Sequence, residues 1–241
     1  MILLRIVIMM LFFANLYADF NLNPVKTNLI KVDGNYGYVK DSSEISLYSS
    51  GIVMHNFADS KSIVARASVI SKENGLAKLE FKVFDSLEQK ALPLPNILPE
   101  VNDEVILNFL YNRALIIAPN ESIYNEIEQS FPQIYFTHID IFGAQLIRDS
   151  VSSPKRSDFR KFCSNNAVGI LIFALDQKAV FVDCQDFNIL AENSISKATK
   201  IQTPFYSRVG SYKNKFLGFL TSDQDITNFY GYYKALLGIY K

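Results

Sequence analysis

The segment from residue 63 to residue 83 constrains the fold more than any other part of the sequence. A strand-like run leads into Asn74-Gly75, two residues that both tolerate positive φ and therefore favour a tight hairpin turn. After the turn, apolar residues alternate strictly with lysine and glutamate, which places one face of a strand in a core and the other in water. The alternating apolar positions are Ala77, Leu79, Phe81 and Val83.

Two further apolar runs extend this pattern. Residues 105–110 and 114–118 are predicted strands on either side of an Asn112-Arg113 turn. Several short strands at regular spacing are typical of a small barrel or sandwich, here expected from about residue 37 to residue 118.

The second half of the chain mixes helices and strands. Asn120 is a predicted cap of a helix that Pro132 ends, and residues 142–147 are a second helical candidate. A third helix is predicted with Ser157 as its cap, and residues 169–183 are a predicted hairpin. The last helix is expected to run from a cap at Ser222 to Gly238.

These patterns predict an α+β protein. We expect a mostly β part over residues 19–118 and a mixed α/β part over residues 119–241, packed together as one globular unit.

The first 18 residues have the layout of a secretory signal peptide. Arg5 precedes an apolar run, and the small residue Ala18 stands directly before Asp19. We therefore expect export and cleavage after Ala18; an uncleaved N-terminal anchor is the alternative. No later stretch approaches the ~18 apolar residues of a transmembrane helix, so we expect no membrane span in the mature chain.

Export bears on the oxidation state of the two cysteines, Cys163 and Cys184. In an oxidising compartment an even pair is most simply one disulfide, and closing a loop of about 20 residues contributes about 3 kcal/mol. Two buried free thiols are the alternative.

Composition excludes several functions. The chain carries 24 basic and 24 acidic residues, whereas nucleic-acid binding needs a basic excess. Its two histidines are too few for the usual zinc site, so we expect no metal and read His138 and Asp140 as hydrogen-bonded groups on a strand. Because no catalytic or nucleotide-binding motif is present, we expect no cofactor and no enzyme activity, with an unrecognised hydrolase as a remote alternative.

Residues 154–161 form a basic cluster, with cations at Lys155, Arg156, Arg160 and Lys161. These cations would suit an anionic polysaccharide or a lipid head group. The alternative is a solvated helix face whose phenylalanines point inward. A Tyr-rich segment at residues 229–234 is likewise either a binding surface or, at helical spacing, part of the core.

Lys241 is the last residue of the sequence. A C-terminal lysine offers an ammonium and a carboxylate at a fixed separation. Such a pair fits a receptor with an acidic centre, a basic centre and an aromatic trough. A chance lysine at this position is the alternative.

Several blocks of the chain, taken together, resemble the N-terminal domain of the bacterial plasminogen-binding surface proteins of the PgbA type. The blocks are residues 50–55, 83–87, 103–109, 116–120, 153–163, 182–184 and 204–209, together with the Tyr-rich end. The resemblance covers roughly residues 45–240.

The resemblance implies an exported, non-enzymatic envelope protein of a Gram-negative bacterium, in the periplasm or on the outer surface, that binds host plasminogen. Plasminogen's kringle modules bind lysine, so Lys241 is the expected contact. Longer members of the family continue into a Lys-rich region, of which this chain keeps the terminal lysine. The alternative function is a periplasmic assembly or scaffold protein that binds another envelope protein.

Overall fold

The computed structural model describes residues 21–84, 97–209 and 225–239. Twelve strands and four helices lie within these ranges. In chain order they are β1 (Val25–Asn28), β2 (Lys31–Asp33), β3 (Tyr36–Lys40), β4 (Ser50–Asn56), β5 (Lys61–Glu73), β6 (Leu76–Lys82), β7 (Glu104–Leu107), β8 (Arg113–Ile117), α1 (Glu121–Ser130), β9 (Tyr135–Phe136), α2 (Ile139–Arg148), α3 (Arg156–Asn166), β10 (Ile170–Leu175), β11 (Lys178–Asp183), β12 (Ile189–Ser194) and α4 (Phe229–Leu237). The α+β class is confirmed.

The first seven strands form one curled antiparallel sheet in the order β1-β7-β4-β5-β6-β3-β2. β1 and β2 lie at opposite ends of this order, yet only Leu29 and Ile30 separate them along the chain. The Leu29 amide donates to the Asp103 carbonyl at 3.0 Å, and the Ile30 amide donates to the Tyr38 carbonyl at 2.9 Å. The segment from β1 to β2 therefore bridges both edges and makes the sheet barrel-like. The predicted barrel or sandwich is thus found, but its strands begin at Val25 and not near residue 37.

The predicted hairpin joins β5 to β6. Asn74 and Gly75 both adopt positive φ, 52° and 77°, as a tight turn of this kind requires. Ala77 and Leu79 are fully buried, which confirms the alternation at these positions. The prediction for Val83 is wrong: β6 ends at Lys82, so Val83 lies beyond the strand and is 74% exposed.

The two strands predicted around Asn112-Arg113 belong to different sheets. β7 pairs with β1 and β4, whereas β8 runs parallel to β10 in a five-stranded sheet of order β12-β11-β10-β8-β9. Asn108 and Leu110 adopt positive φ, 56° and 65°, where the chain leaves the first sheet. The chain therefore passes from the first sheet to the second between Leu107 and Arg113. The sequence analysis expected the mostly β part to continue to residue 118.

All four helices predicted in the second half are found, but α3 and α4 do not begin where expected. The Asn120 side chain accepts the Ile123 amide at 2.9 Å and caps α1, as predicted. The helix candidate at residues 142–147 is confirmed within α2. α4 is shorter than expected: residues 225–228 are not helical, and Asn228 caps the helix by accepting the Gly231 amide at 3.0 Å. The predicted cap, Ser222, lies outside the described residues.

The second sheet lies in the larger and more aromatic core. Every residue of β10 is buried, and the predicted β10–β11 hairpin is confirmed. α1 and α2 pack against β8, and α4 packs against β10. Phe142 lies at the centre, with ring centroids 4.7 Å from Phe159, 5.0 Å from Phe162 and 5.6 Å from Phe205.

The Tyr-rich segment at residues 229–234 belongs to the core only in part. Phe229 and Tyr233 of α4 are buried, whereas Tyr230 and Tyr232 are half-buried. No helix in the described part of the chain combines the length and the apolarity needed to cross a bilayer.

Candidate functional site

The basic cluster lies at the start of α3, where a carboxylate fixes the first turn. Asp158 accepts the backbone amide of Lys155 at 2.7 Å, so an acid three residues into the helix satisfies a free amide at its end. Lys155 is therefore the N-cap and α3 begins at Arg156. The prediction of Ser157 as the cap is wrong, because Asp158 binds the amide of Lys155 and the helix is capped two residues before Ser157.

The two arginines of the cluster are engaged inside the molecule. Arg156 Nε donates to the Leu236 carbonyl at the end of α4 at 2.7 Å, and Arg160 Nε donates to the Gln185 carbonyl at 2.6 Å. Both guanidinium groups also lie over the Phe187 ring, 5.4 Å and 5.3 Å from its centroid. These cations hold α4 and the loop after β11 against α3.

The two lysines of the cluster differ from each other. Lys161 Nζ lies 2.9 Å from Asp149, and hydrogen bonds from Arg148 and Lys161 lower the pKa of that carboxyl. Lys155 is exposed, and its ammonium makes no ion pair with the described residues. The structure thus gives internal partners to three of the four cations; an anion-binding patch here stays a prediction.

The predicted disulfide is present. Cys163 of α3 is bonded to Cys184, which directly follows β11, and their Cα atoms are 6.5 Å apart. This separation lies within the range of ordinary disulfides. The bond fixes one end of the segment 183–187, which we call the hub loop.

The hub loop carries a buried carboxylate, Asp183, that reaches the first sheet. Ser50 Oγ donates to Asp183 at 2.5 Å, and the Tyr111 hydroxyl donates to the same oxygen at 2.9 Å. The amides of Gln185 and Asp186 donate to its other oxygen at 3.0 Å and 2.7 Å. Burial raises the pKa of Asp183 and outweighs these hydrogen bonds.

The second acid of the hub loop, Asp186, forms a two-pronged ion pair with the first sheet. Both terminal nitrogens of Arg66 donate to it at 2.9 Å, and Ser68 Oγ donates at 2.5 Å. Lys82 Nζ adds a contact at 3.2 Å. Burial acts to raise the pKa of Asp186, but the hydrogen bonds from Arg66 and Ser68 prevail and lower it to about 2.

Sequence reasoning missed this polar junction. Its partners in β4 and β5 lie 133, 120 and 118 residues away from the two acids, and no local pattern records such a pairing. A signal was present in the hub loop itself, since two carboxylates stand close to a predicted disulfide.

The two histidines lie in different parts of the fold. His55 Nδ1 lies 2.8 Å from Asp103 in the barrel-like sheet. His138 is the N-cap of α2, and its Nδ1 accepts the Asp140 amide at 3.1 Å. The prediction that His138 and Asp140 share a strand is wrong, because α2 begins at Ile139. Asp140 instead receives Arg208 Nε at 2.7 Å and Ser207 Oγ at 2.9 Å.

A groove of about 580 Å³ lies beside the β10–β11 turn and the end of α4. Its charged groups already pair with each other. Lys234 contacts Asp176 at 2.6 Å, and Lys178 contacts Glu192 at 2.5 Å. Lys241 and the signal-peptide segment lie outside the described residues.

Comparison with known proteins places the fold in a family. The family model described as "Plasminogen-binding protein pgbA N-terminal" matches residues 24–237. This chain belongs to that family. The match begins one residue before β1 and ends at the last residue of α4, so the PgbA N-terminal family comprises both sheets and the hub loop between them.

Two curated proteins are similar to this chain over nearly its full length. Both are named Plasminogen-binding protein PgbA, from Helicobacter pylori strains J99 / ATCC 700824 and ATCC 700392 / 26695. Each is 28% identical over 240 residues, which is 98% of this chain but 53% and 52% of those proteins. The chain thus spans about half the length of these relatives.

Proposed function

We propose that this chain is an exported, non-enzymatic envelope protein of a Gram-negative bacterium and that it binds host plasminogen. The observation that carries the proposal is the identity to two proteins named for plasminogen binding, which extends over 98% of this chain. The N-terminal sequence supports export, since Arg5, the apolar run and Ala18 follow the order of a signal peptide.

Lysine is the proposed contact, because kringle modules bind a cation and an anion held at the spacing of free lysine. The structure supports this mechanism by leaving several ammonium groups available. Among the lysines at 21–84, 97–209 and 225–239, five are exposed and make no ion pair. They are Lys26, Lys40, Lys155, Lys197 and Lys200.

Lys241 is the proposed principal contact in a chain that ends at this residue, because a lysine at a free C-terminus supplies both charges from one residue. An internal lysine supplies the cation and depends on a neighbouring acid for the anion. Deleting Lys241 should therefore weaken binding more than replacing any one internal lysine with alanine.

The test is direct binding of the mature chain, residues 19–241, to immobilised plasminogen, with and without free lysine as competitor. A matched chain without Lys241 is measured in parallel. We expect saturable binding that free lysine abolishes and that is weaker without Lys241. Absence of binding would reject the plasminogen role and favour the envelope-scaffold function. Binding that free lysine leaves unchanged would reject the lysine mechanism alone.

The cellular location provides an independent test. Plasminogen reaches only the outer face of a bacterium, so the proposed function requires exposure there. Protease added to intact cells should cleave the protein. Complete protection on intact cells, followed by cleavage after the outer membrane is permeabilised, would place the chain in the periplasm and favour the scaffold function.

A further inference from the structure

Lys155 stands out from the other exposed lysines because both of its neighbours in the chain are bound to α4. The preceding residue, Pro154, is buried, and its carbonyl accepts the Tyr232 hydroxyl at 3.0 Å. The side chain of the following residue, Arg156, donates from Nε to the Leu236 carbonyl at 2.7 Å. Both contacts come from α4, so this helix holds the Lys155 backbone in one position while its side chain extends into solvent.

A carboxylate lies next to that fixed backbone. Asp158 Oδ2 accepts the Lys155 amide at 2.7 Å, so the carboxylate lies at the backbone end of the lysine side chain. The ammonium at the other end of the side chain has no ion-pair partner among the described residues.

In a C-terminal lysine, the carboxylate is attached at Cα and the ammonium lies at the end of a four-carbon stem. Lys155 and Asp158 likewise place a carboxylate at the backbone end of a lysine side chain whose other end carries the ammonium, with the two charges on two residues. We propose that this pair is a second, internal lysine mimic that enters the lysine-binding pocket of a kringle module. The proposal rests on the plasminogen-binding function proposed above and specifies a site for it.

The other lysines of the described part do not meet both conditions. Lys161 is neutralised at its ammonium by Asp149, 2.9 Å away. Lys40 precedes an acid, Asp41, but that carboxylate pairs with Lys72 at 3.0 Å. The remaining exposed lysines, Lys26, Lys197 and Lys200, have no carboxylate bonded to their backbone amide.

The rigidity of the pair favours binding. A ligand whose backbone is already fixed loses less conformational entropy on association than one whose backbone must be ordered. The acid is held by its own hydrogen bond to Lys155, so only the lysine side chain must be ordered when the kringle binds.

The experiment measures plasminogen binding in a chain that lacks Lys241, so that the internal site is observed alone. Lys155→Ala and Asp158→Asn are made in this background; asparagine keeps an oxygen that can accept the Lys155 amide but removes the charge. Lys200→Ala is the matched control. Thermal unfolding of each variant verifies that α3 stays folded.

We expect the chain without Lys241 to keep weak, lysine-sensitive binding. Lys155→Ala should then reduce affinity by about tenfold or more, Asp158→Asn by a smaller factor, and Lys200→Ala should have no effect. Loss of all binding on deletion of Lys241 would overturn the internal site while leaving the proposed function intact. So would equal binding by the Lys155→Ala and Lys200→Ala variants, or an Asp158→Asn variant that binds as tightly as its parent. If the intact chain does not bind plasminogen, the proposed function itself fails and the site with it.

Discussion

The barrel-like sheet and the five-stranded sheet bury different kinds of side chain. Every residue in the core cluster of the barrel-like sheet is valine, leucine, isoleucine or alanine. The core of the five-stranded sheet adds buried phenylalanines and tyrosines and the Cys163–Cys184 bond. Small aliphatic side chains suit the narrow interior of a curled sheet, whereas the space between a sheet and its helices accommodates aromatic rings.

The comparison shows which part of the molecule supports the other. The hub loop is fixed to α3 by the disulfide, and its two carboxylates bind residues of β4 and β5. The barrel-like sheet is thus attached to a loop that the disulfide holds against α3. We call the five-stranded sheet with its helices and the hub loop the braced unit. The same α3 presents Lys155, so the candidate binding residue also belongs to the braced unit.

Arg66→Ala should have the largest effect on stability, because it leaves the Asp186 carboxylate buried without its main partner. Removing one member of a buried ion pair costs about 3–5 kcal/mol. Chemical denaturation measures the change in the free energy of unfolding. Lys31→Ala is the control: Lys31 pairs with Asp33 in water, so we expect a loss of at most about 1 kcal/mol. Equal effects of the two substitutions would show that the junction does not support the barrel-like sheet.

Removing the disulfide with the double substitution Cys163→Ala and Cys184→Ala should lower the free energy of unfolding by about 3 kcal/mol. Hydrogen exchange should show faster opening of α3 and the hub loop than of the β5–β6 hairpin. Uniform loss of protection across both sheets would contradict the view that the disulfide mainly stabilises the braced unit.

The two acids of the hub loop should respond to pH in opposite directions. The folded-state pKa of Asp186 is about 2, below its ordinary value of 3.8, so its contribution is present above pH ~4 and is lost as the pH falls towards 2. The wild type should lose about 2 kcal/mol over this interval relative to Asp186→Asn, as measured by denaturant unfolding at each pH. Parallel pH profiles for the two proteins would contradict the assigned ion pair.

Asp183 has a raised pKa because of its burial, so its protonated form favours folding. Its contribution is complete below its ordinary pKa and is lost as the pH rises through the folded-state value. The variant Asp183→Asn should therefore lose less stability than the wild type as the pH rises above 3.8, the ordinary pKa of this carboxyl. A steeper decline in the variant would show that ionised Asp183 is the stabilising form.

Gly75→Ala should have the smallest effect and should be confined to the barrel-like sheet. A Cβ at Gly75 meets no atom within 4 Å, so the cost is that of a left-handed backbone alone, about 1 kcal/mol. Asn74→Gly is the control and should change stability little, since both residues tolerate positive φ. Thermal unfolding compares the two variants; a loss for Asn74→Gly as large as for Gly75→Ala would point to lost side-chain contacts instead.

Local features of this fold could be predicted from the sequence, and distant pairings could not. The Asn74-Gly75 turn and the Asn120 cap depend on residues within a few positions of each other. β8 pairs with β10, which lies more than 50 residues later in the chain. The sequence analysis placed β8 beside β7, because the two strands follow each other in the chain, and this pairing is wrong. In the candidate site the cation of Lys155 was visible in the sequence, but the position of the Asp158 carboxylate depends on where α3 begins.

The most direct test of the account is a hydrogen-exchange footprint of plasminogen on the mature chain. Binding should slow exchange at residues 154–161 and next to Lys241, and free lysine should reverse this protection. The barrel-like sheet, residues 25–82, should exchange as it does in the unbound protein. Protection confined to the barrel-like sheet, with residues 154–161 unchanged, would contradict the claim that the disulfide-braced unit presents the binding lysine.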